Sequence, residues 1–169
     1  SMQRKYLVIP GVITSNFYIV DTATNPSAPV LYKTISGDEI KKKTNLSTPH
    51  TVHCLGADII VSMLGDANGD APGGYLHLNK DFEVIGRWEK NIDGMNFSYD
   101  FWYQPRRNMM VSTEWAAPNT FIPGFNLKDV EKGSYGRHIH FWDFENKSIE
   151  RSIDLGEEGM IPLEARFLH

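Results

Sequence analysis

Three short segments of this chain resemble one another, and that internal repeat constrains the fold more than anything else in the sequence. Phe17-Tyr18-Ile19-Val20-Asp21, Tyr75-Leu76-His77-Leu78-Asn79 and Ile139-His140-Phe141-Trp142-Asp143 are each a β-rich run closed by Asp or Asn. A short polar side chain at that place bonds its own backbone and opens a turn. The closing residues lie 58 and 64 positions apart. After each turn comes a further short run: Val30 to Ile35, Phe82 to Trp88, and Ser148 to Ile153. A second series precedes the first, as Tyr6-Leu7-Val8-Ile9, Ile59-Ile60-Val61-Ser62 and Met109-Met110-Val111-Ser112. Runs of this length suit buried strands and are too short for helices. Ahead of these lie His50-Thr51-Val52-His53-Cys54-Leu55 and Tyr99-Asp100-Phe101-Trp102-Tyr103.

Four short strands per repeat, closed by tight turns, is the pattern of β-propeller blades. An all-β fold of propeller blades is therefore the expected class, with a β-sandwich as the alternative that would need no repeat. The 169 residues fit one domain. Within it, blade-like units are expected at about 4–47, 48–92 and 96–156, with a further first strand starting a next blade at 160–169. That gives twelve strands and about three blades, whereas a closed ring typically takes four to eight. The open edges and uncovered faces of such an arc predict a homo-oligomer. The excess over a shorter repeat sits in loops, from Gly65 to Gly74 and from Ala116 to Gly136. In the latter, Asn126 is placed to cap a short helical turn over 126–131. Ser1-Met2 reads as an expression scar.

Composition narrows the function. Apolar residues make up 41% and charged residues 22%, an ordinary globular balance that excludes a disordered tail or a collagen-like fibre. The net charge of −4 gives no general attraction to nucleic acid, although Lys41, Lys42 and Lys43 form one basic spot. No apolar run approaches membrane-spanning length. One cysteine, Cys54, excludes a disulfide framework and fits a reducing compartment, so a cytoplasmic setting is expected.

The chain resembles the selenium-binding protein family, also described as methanethiol oxidases. The resemblance rests on His50-Thr51-Val52-His53-Cys54-Leu55, Ser62-Met63-Leu64-Gly65-Asp66, Tyr99-Asp100-Phe101-Trp102-Tyr103-Gln104-Pro105-Arg106, Ser112-Thr113-Glu114-Trp115-Ala116-Ala117-Pro118-Asn119 and Ile161 to His169. The resemblance covers nearly the whole chain. It implies a seven-bladed propeller in the full-length protein and oxidation of methanethiol by oxygen to formaldehyde, hydrogen sulfide and hydrogen peroxide, with copper as the metal. It also implies selenium binding in the full-length protein and links to protein degradation and intra-Golgi transport, with nuclear or peripheral membrane settings besides the cytoplasm. The family's N-terminal part, with a cysteine-rich stretch linked to selenium, is missing here. This stretch is therefore expected to hold at most part of the site and to show negligible oxidase activity alone. The competing reading is a propeller scaffold for protein partners, without catalysis.

His50 and His53 are the sharpest local signal. Imidazole suits copper, zinc and iron, and a metal site converges ligands from several elements. In a propeller the innermost strand of each blade lines the channel, so His53 and His169, on equivalent first strands, could meet on the axis. Three residues apart on a regular strand places His50 and His53 on opposite faces, unless His50 lies in the entering loop or a bulge intervenes. The alternative for each is a hydrogen-bonded strand histidine. Cys54 is the candidate redox or selenium-carrying residue, against its usual role as a small hydrophobe. Asp100, Glu114, Glu164 and Arg166 are charges beside apolar strands, expected to pair with one another or to face a wet channel. Of these, Asp100, Glu164 and Arg166 are candidates for orienting a ligand histidine from behind. His77, His138 and His140 are expected on third strands in structural roles. The rings of Phe101, Trp102, Tyr103, Trp115 and Trp142 are expected to pack between blades, with a thiol-substrate pocket lined by the same rings as the sharper alternative. Asp66 to Asp70 superficially matches a calcium loop, but position twelve from Asp66 is His77 rather than Glu, so a polar turn is expected.

Overall fold

The computed structural model describes residues 4–168. Its strands form three antiparallel sheets, each an uninterrupted meander in which sequence neighbours are ladder neighbours. The first sheet holds β1 (Tyr6–Pro10), β2 (Phe17–Asp21) and β3 (Val30–Ile35). A helix, α1 (Gly37–Thr44), leads into the second sheet, made of β4 (Leu46–Leu55), β5 (Asp58–Asp66), β6 (Gly74–Leu78) and β7 (Val84–Arg87). The third sheet comprises β8 (Phe101–Gln104), β9 (Met109–Thr113), β10 (His138–Asp143) and β11 (Ser148–Asp154). Between β9 and β10 lie α2 (Pro118–Phe121) and α3 (Leu127–Glu131). The expected helical turn is α3, and Asn126 caps it by accepting a hydrogen bond from the Lys128 N–H.

The repeat closes as its chemistry dictates. Asp21 accepts from the N–H groups of Ala23 and Thr24, both at 2.9 Å. Asn79 accepts from those of Asp81 and Glu83, also at 2.9 Å. Asp143 accepts from that of Asn146 at 2.8 Å. Each strand-ending carboxylate or amide thus holds the hairpin that follows. Asp66 does the same in its own loop, accepting from the N–H groups of Asn68 and Asp70, which makes that stretch a polar turn.

Two apolar layers join the sheets, and the middle sheet is covered on both faces. Ile59, Val61 and Met63 pack with Phe17, Ile19 and Ile35 of the first sheet. Ile60 and Tyr75 pack with Phe101, Met110 and Trp142 of the third. Packing on both faces leaves β5 buried without a break from Ile59 to Gly65, whereas β1 alternates between half-buried and exposed positions. A stack of successive meanders in which one sheet serves two neighbours is the arrangement of propeller blades, not of a sandwich.

The expected strand over 160–169 does not form among the described residues. Residues 162–168 form no regular element and pair with no strand among the described residues. A strand needs a partner, and here the backbone bonds go elsewhere: the Leu163 carbonyl accepts from Thr113 Oγ1 at 2.7 Å, and the Ala165 N–H donates to Asp100 Oδ2 at 3.0 Å. The described chain therefore has eleven strands rather than twelve. Helix α1 was not expected from the sequence. Ser36 caps it by accepting from the Asp38 N–H, Asp38 and Glu39 sit in its first turn, and Lys41 to Lys43 sit in its last, as the helix dipole favours.

Candidate functional site

Strand β4 carries the two histidines, and its ladder with β5 slips between Pro49 and Val52. Thr48, just before the slip, adopts a left-handed backbone with φ of 59°. The bulge removes the alternation that would send His50 and His53 to opposite faces. Both rings now reach towards the start of the third sheet. His50 lies against Tyr99, with ring centroids 4.0 Å apart. His53 lies against Phe101 at 4.8 Å and edge-on to Trp102 at 4.7 Å. Burial pushes the pKa of both imidazoles down, against the opposing pull of Asp100. At neutral pH both rings are accordingly uncharged, the state in which imidazole binds metal.

A relay fixes which nitrogen of His50 is free. Asp100 is 2% exposed, and its Oδ2 accepts from the Ala165 N–H at 3.0 Å and from Arg166 at 2.6 Å. Its Oδ1 accepts from Thr51 Oγ1 at 2.8 Å. Having given its only proton to Asp100, the Thr51 hydroxyl can only accept from His50 Nδ1, 3.0 Å away. His50 is therefore the Nδ1–H tautomer, and its Nε2 lone pair has no hydrogen-bond partner among the described residues. A carboxylate acting through a donor on the far nitrogen is the usual support of a metal-binding histidine.

The other candidates divide. Glu164 and Arg166 join the site through Asp100 and not through a histidine: Arg166 bonds Asp100 and Glu164, and its guanidinium lies 4.9 Å from the Trp102 ring centre. Cys54 is a free, exposed cysteine, and its carbonyl accepts from Tyr103 Oη at 2.8 Å. His169 lies outside the described residues. Among the described residues, no group of three or more His, Cys, Asp or Glu side chains is gathered closely enough to hold a metal ion. Thr51 was missed as a participant because a threonine between two histidines reads as an ordinary strand residue. Only the contact with Asp100, 49 positions away, reveals its role.

A second polar cluster forms at Glu114, which is fully buried. Its Oε1 accepts from the Asn96 N–H at 2.8 Å and His140 Nε2 at 3.0 Å, and its Oε2 from the His138 N–H at 3.1 Å and His138 Nδ1 at 3.0 Å. Burial would raise the pKa of this carboxyl, but the bonds from His140, Asn96 and His138 and the charge of His140 together bring it down to about 2. His138 and His140 are stacked side by side, 6.2 Å apart.

Comparison with known proteins places these features. A profile of the 56 kDa selenium-binding protein family matches residues 1–169. Selenium-binding protein 2 of Arabidopsis thaliana is 50% identical over 171 aligned residues, spanning 100% of this chain and 35% of that protein. A methanethiol oxidase of Danio rerio is 48% identical, spanning 100% of this chain and 37% of that protein. The X-ray structure of a hypothetical selenium-binding protein from Sulfolobus tokodaii superposes with a TM-score of 0.94 at 42% identity, over 98% of this chain and 36% of that one. The chain thus spans about a third of the length of the curated relatives it matches.

Proposed function

We propose, from the premise that this chain belongs to the 56 kDa selenium-binding protein family, that it supplies part of the copper site of a methanethiol oxidase. His50 through Nε2 and His53 would hold the metal, with His169 as the third imidazole. The relay from His50 through Thr51 to Asp100 carries this reading, because it leaves a neutral ring with one nitrogen oriented and the other free. Bound copper would mediate electron transfer from thiol to oxygen. The overall change is methanethiol plus oxygen plus water to formaldehyde, hydrogen sulfide and hydrogen peroxide. Carbon loses two electrons, oxygen gains two, and sulfur leaves at its original oxidation level. The chain's own part is to orient. Arg166 and the Ala165 N–H neutralise and hold Asp100, so that Asp100 can hold Thr51. Trp102 and Tyr103 beside His53 give an apolar wall that suits a methyl group. This stretch alone holds an incomplete ligand set and is expected to be inactive.

Copper titration of the intact protein tests this. Thr51→Val removes the relay at constant shape and should weaken copper binding by roughly 10- to 100-fold, while Thr51→Ser should restore it. His53→Ala should abolish peroxide release from methanethiol. Wild-type copper affinity in both Thr51→Val and His53→Ala would contradict the assignment. The second reading, a scaffold for protein partners, draws support from the open apolar face of the first sheet, where Leu7, Ile9 and Leu31 are exposed. An intact protein that takes up no copper would favour it.

A further inference from the structure

Two loop insertions interlock, and a row of aromatic rings runs from them to His50. Asn119 on α2 donates through its N–H to the Gly69 carbonyl at 3.0 Å. Its Nδ2 donates to the Asn68 carbonyl at 3.1 Å and to Asp70 Oδ1 at 2.9 Å. Pro118 closes against Gly65, where an added Cβ would come within 2.7 Å of the proline ring. The end of β5 and the turn after it thus pin the first two residues of α2. Helix α2 presents Phe121, whose ring stacks on Trp115 with centroids 4.2 Å and planes 20° apart. Trp115 meets Tyr99 edge-on at 5.2 Å, and Tyr99 lies over His50 at 4.0 Å.

We infer that Tyr99 is a positioning residue for the His50 ring, braced from α2 by Trp115 and Phe121. The Thr51 hydroxyl holds one nitrogen of His50, and a ring tied at one atom can still rock about that bond. A second ring packed on its face removes that freedom, because closely packed planes cannot turn independently. The angle of 33° between Tyr99 and His50 gives such a face contact rather than an edge contact. Together the two constraints aim Nε2, and a ligand atom already aimed binds without first giving up ring freedom. His53 has separate support, since Phe101, Trp102 and Tyr103 surround it and none of them belongs to this row. Loosening the row therefore affects one histidine and spares the other. The brace also gives a task to Trp115, to Asn119 and to the turn over Asp66 to Asp70.

Nuclear magnetic resonance of the metal-free chain tests the brace. In the wild type and in Tyr99→Phe, the His50 Nδ1–H proton should be visible and the His50 ring protons shifted upfield by the facing ring. In Tyr99→Leu the Nδ1–H signal should be lost to exchange with water and the upfield shift should vanish, while the His53 ring signals stay in place. Asn119→Ala, which alters neither ring, should broaden the same His50 signals. In the intact protein Tyr99→Leu should weaken copper binding by roughly 3- to 30-fold, and Tyr99→Phe should leave it within about twofold. The inference rests on the reading of His50 as a copper ligand, and the two fail separately. Wild-type copper affinity in His50→Ala would contradict that reading but not the brace, which the metal-free signals decide. The brace is overturned by an unchanged His50 Nδ1–H signal in Tyr99→Leu. Wild-type copper affinity in Tyr99→Leu where His50→Ala has lost it overturns it too, as does equal displacement of the His53 signals, which would make Tyr99 a support of the fold at large.

Discussion

Glu114 is a carboxylate that no solvent reaches, held ionised by hydrogen bonds from both neighbouring imidazoles and from the backbone. Its pKa falls from an ordinary 4.5 to about 2 in the folded chain. A depressed carboxylate contributes stability that is fully present above the unfolded value and disappears as pH falls through the folded one. Urea unfolding between pH 6 and pH 2 should therefore show a loss of roughly 3 kcal/mol attributable to this group. Glu114→Gln should start less stable and show a flatter acid limb; an unchanged limb would contradict the role. The sequence marked Glu114 as a charge in need of partners and put His138 and His140 on one face. It could not show that these facts concern the same contact, because β9 and β10 are separated by the long loop holding α2 and α3. The pair on β4 was more legible. His50 and His53 stood out as candidates, regular alternation would have set them apart unless a bulge or an entering loop intervened, and the slip between Pro49 and Val52 is that bulge.

At the scale of elements, strands were legible and the short helices less so. The strands declare themselves by apolar runs ended by Asp21, Asn79 and Asp143, whose side chains make the turn bonds described above. Helix α1 hides because its eight residues bury little beyond Ile40 and are rich in lysine. Its start signal was nonetheless present, since Ser36 followed three positions later by Glu39 is a capping pattern. Ser36→Ala should cost about 1 kcal/mol in chemical denaturation, and Ser36→Asp should retain most of the stability. Equal stability of all three proteins would mean that the cap does not support the helix. The terminal stretch taught a different lesson. Pro162 to Leu168 has the composition of a strand, but strand formation is a property of pairs, and this stretch is tied instead to Thr113 and Asp100.

At the scale of the whole molecule, the first sheet presents apolar side chains to solvent. Leu7 is 51% exposed and Leu31 60%, and the ladder pairs both with Val20, so they share one face. The corresponding faces of the second sheet are both covered. An uncovered blade face of this kind favours association. Light scattering of this chain at rising concentration should show mass above the 19.2 kDa of a monomer, and Leu7→Lys with Leu31→Lys should reduce it. A monomer at every concentration would contradict the expectation. The central claim, that the histidines of β4 hold copper in the intact protein, is tested most directly by anomalous diffraction at the copper edge from crystals of the copper-loaded full-length protein. The account predicts a peak within about 2 Å of His50 Nε2 and of a His53 ring nitrogen. A peak away from both rings, or none, would contradict it.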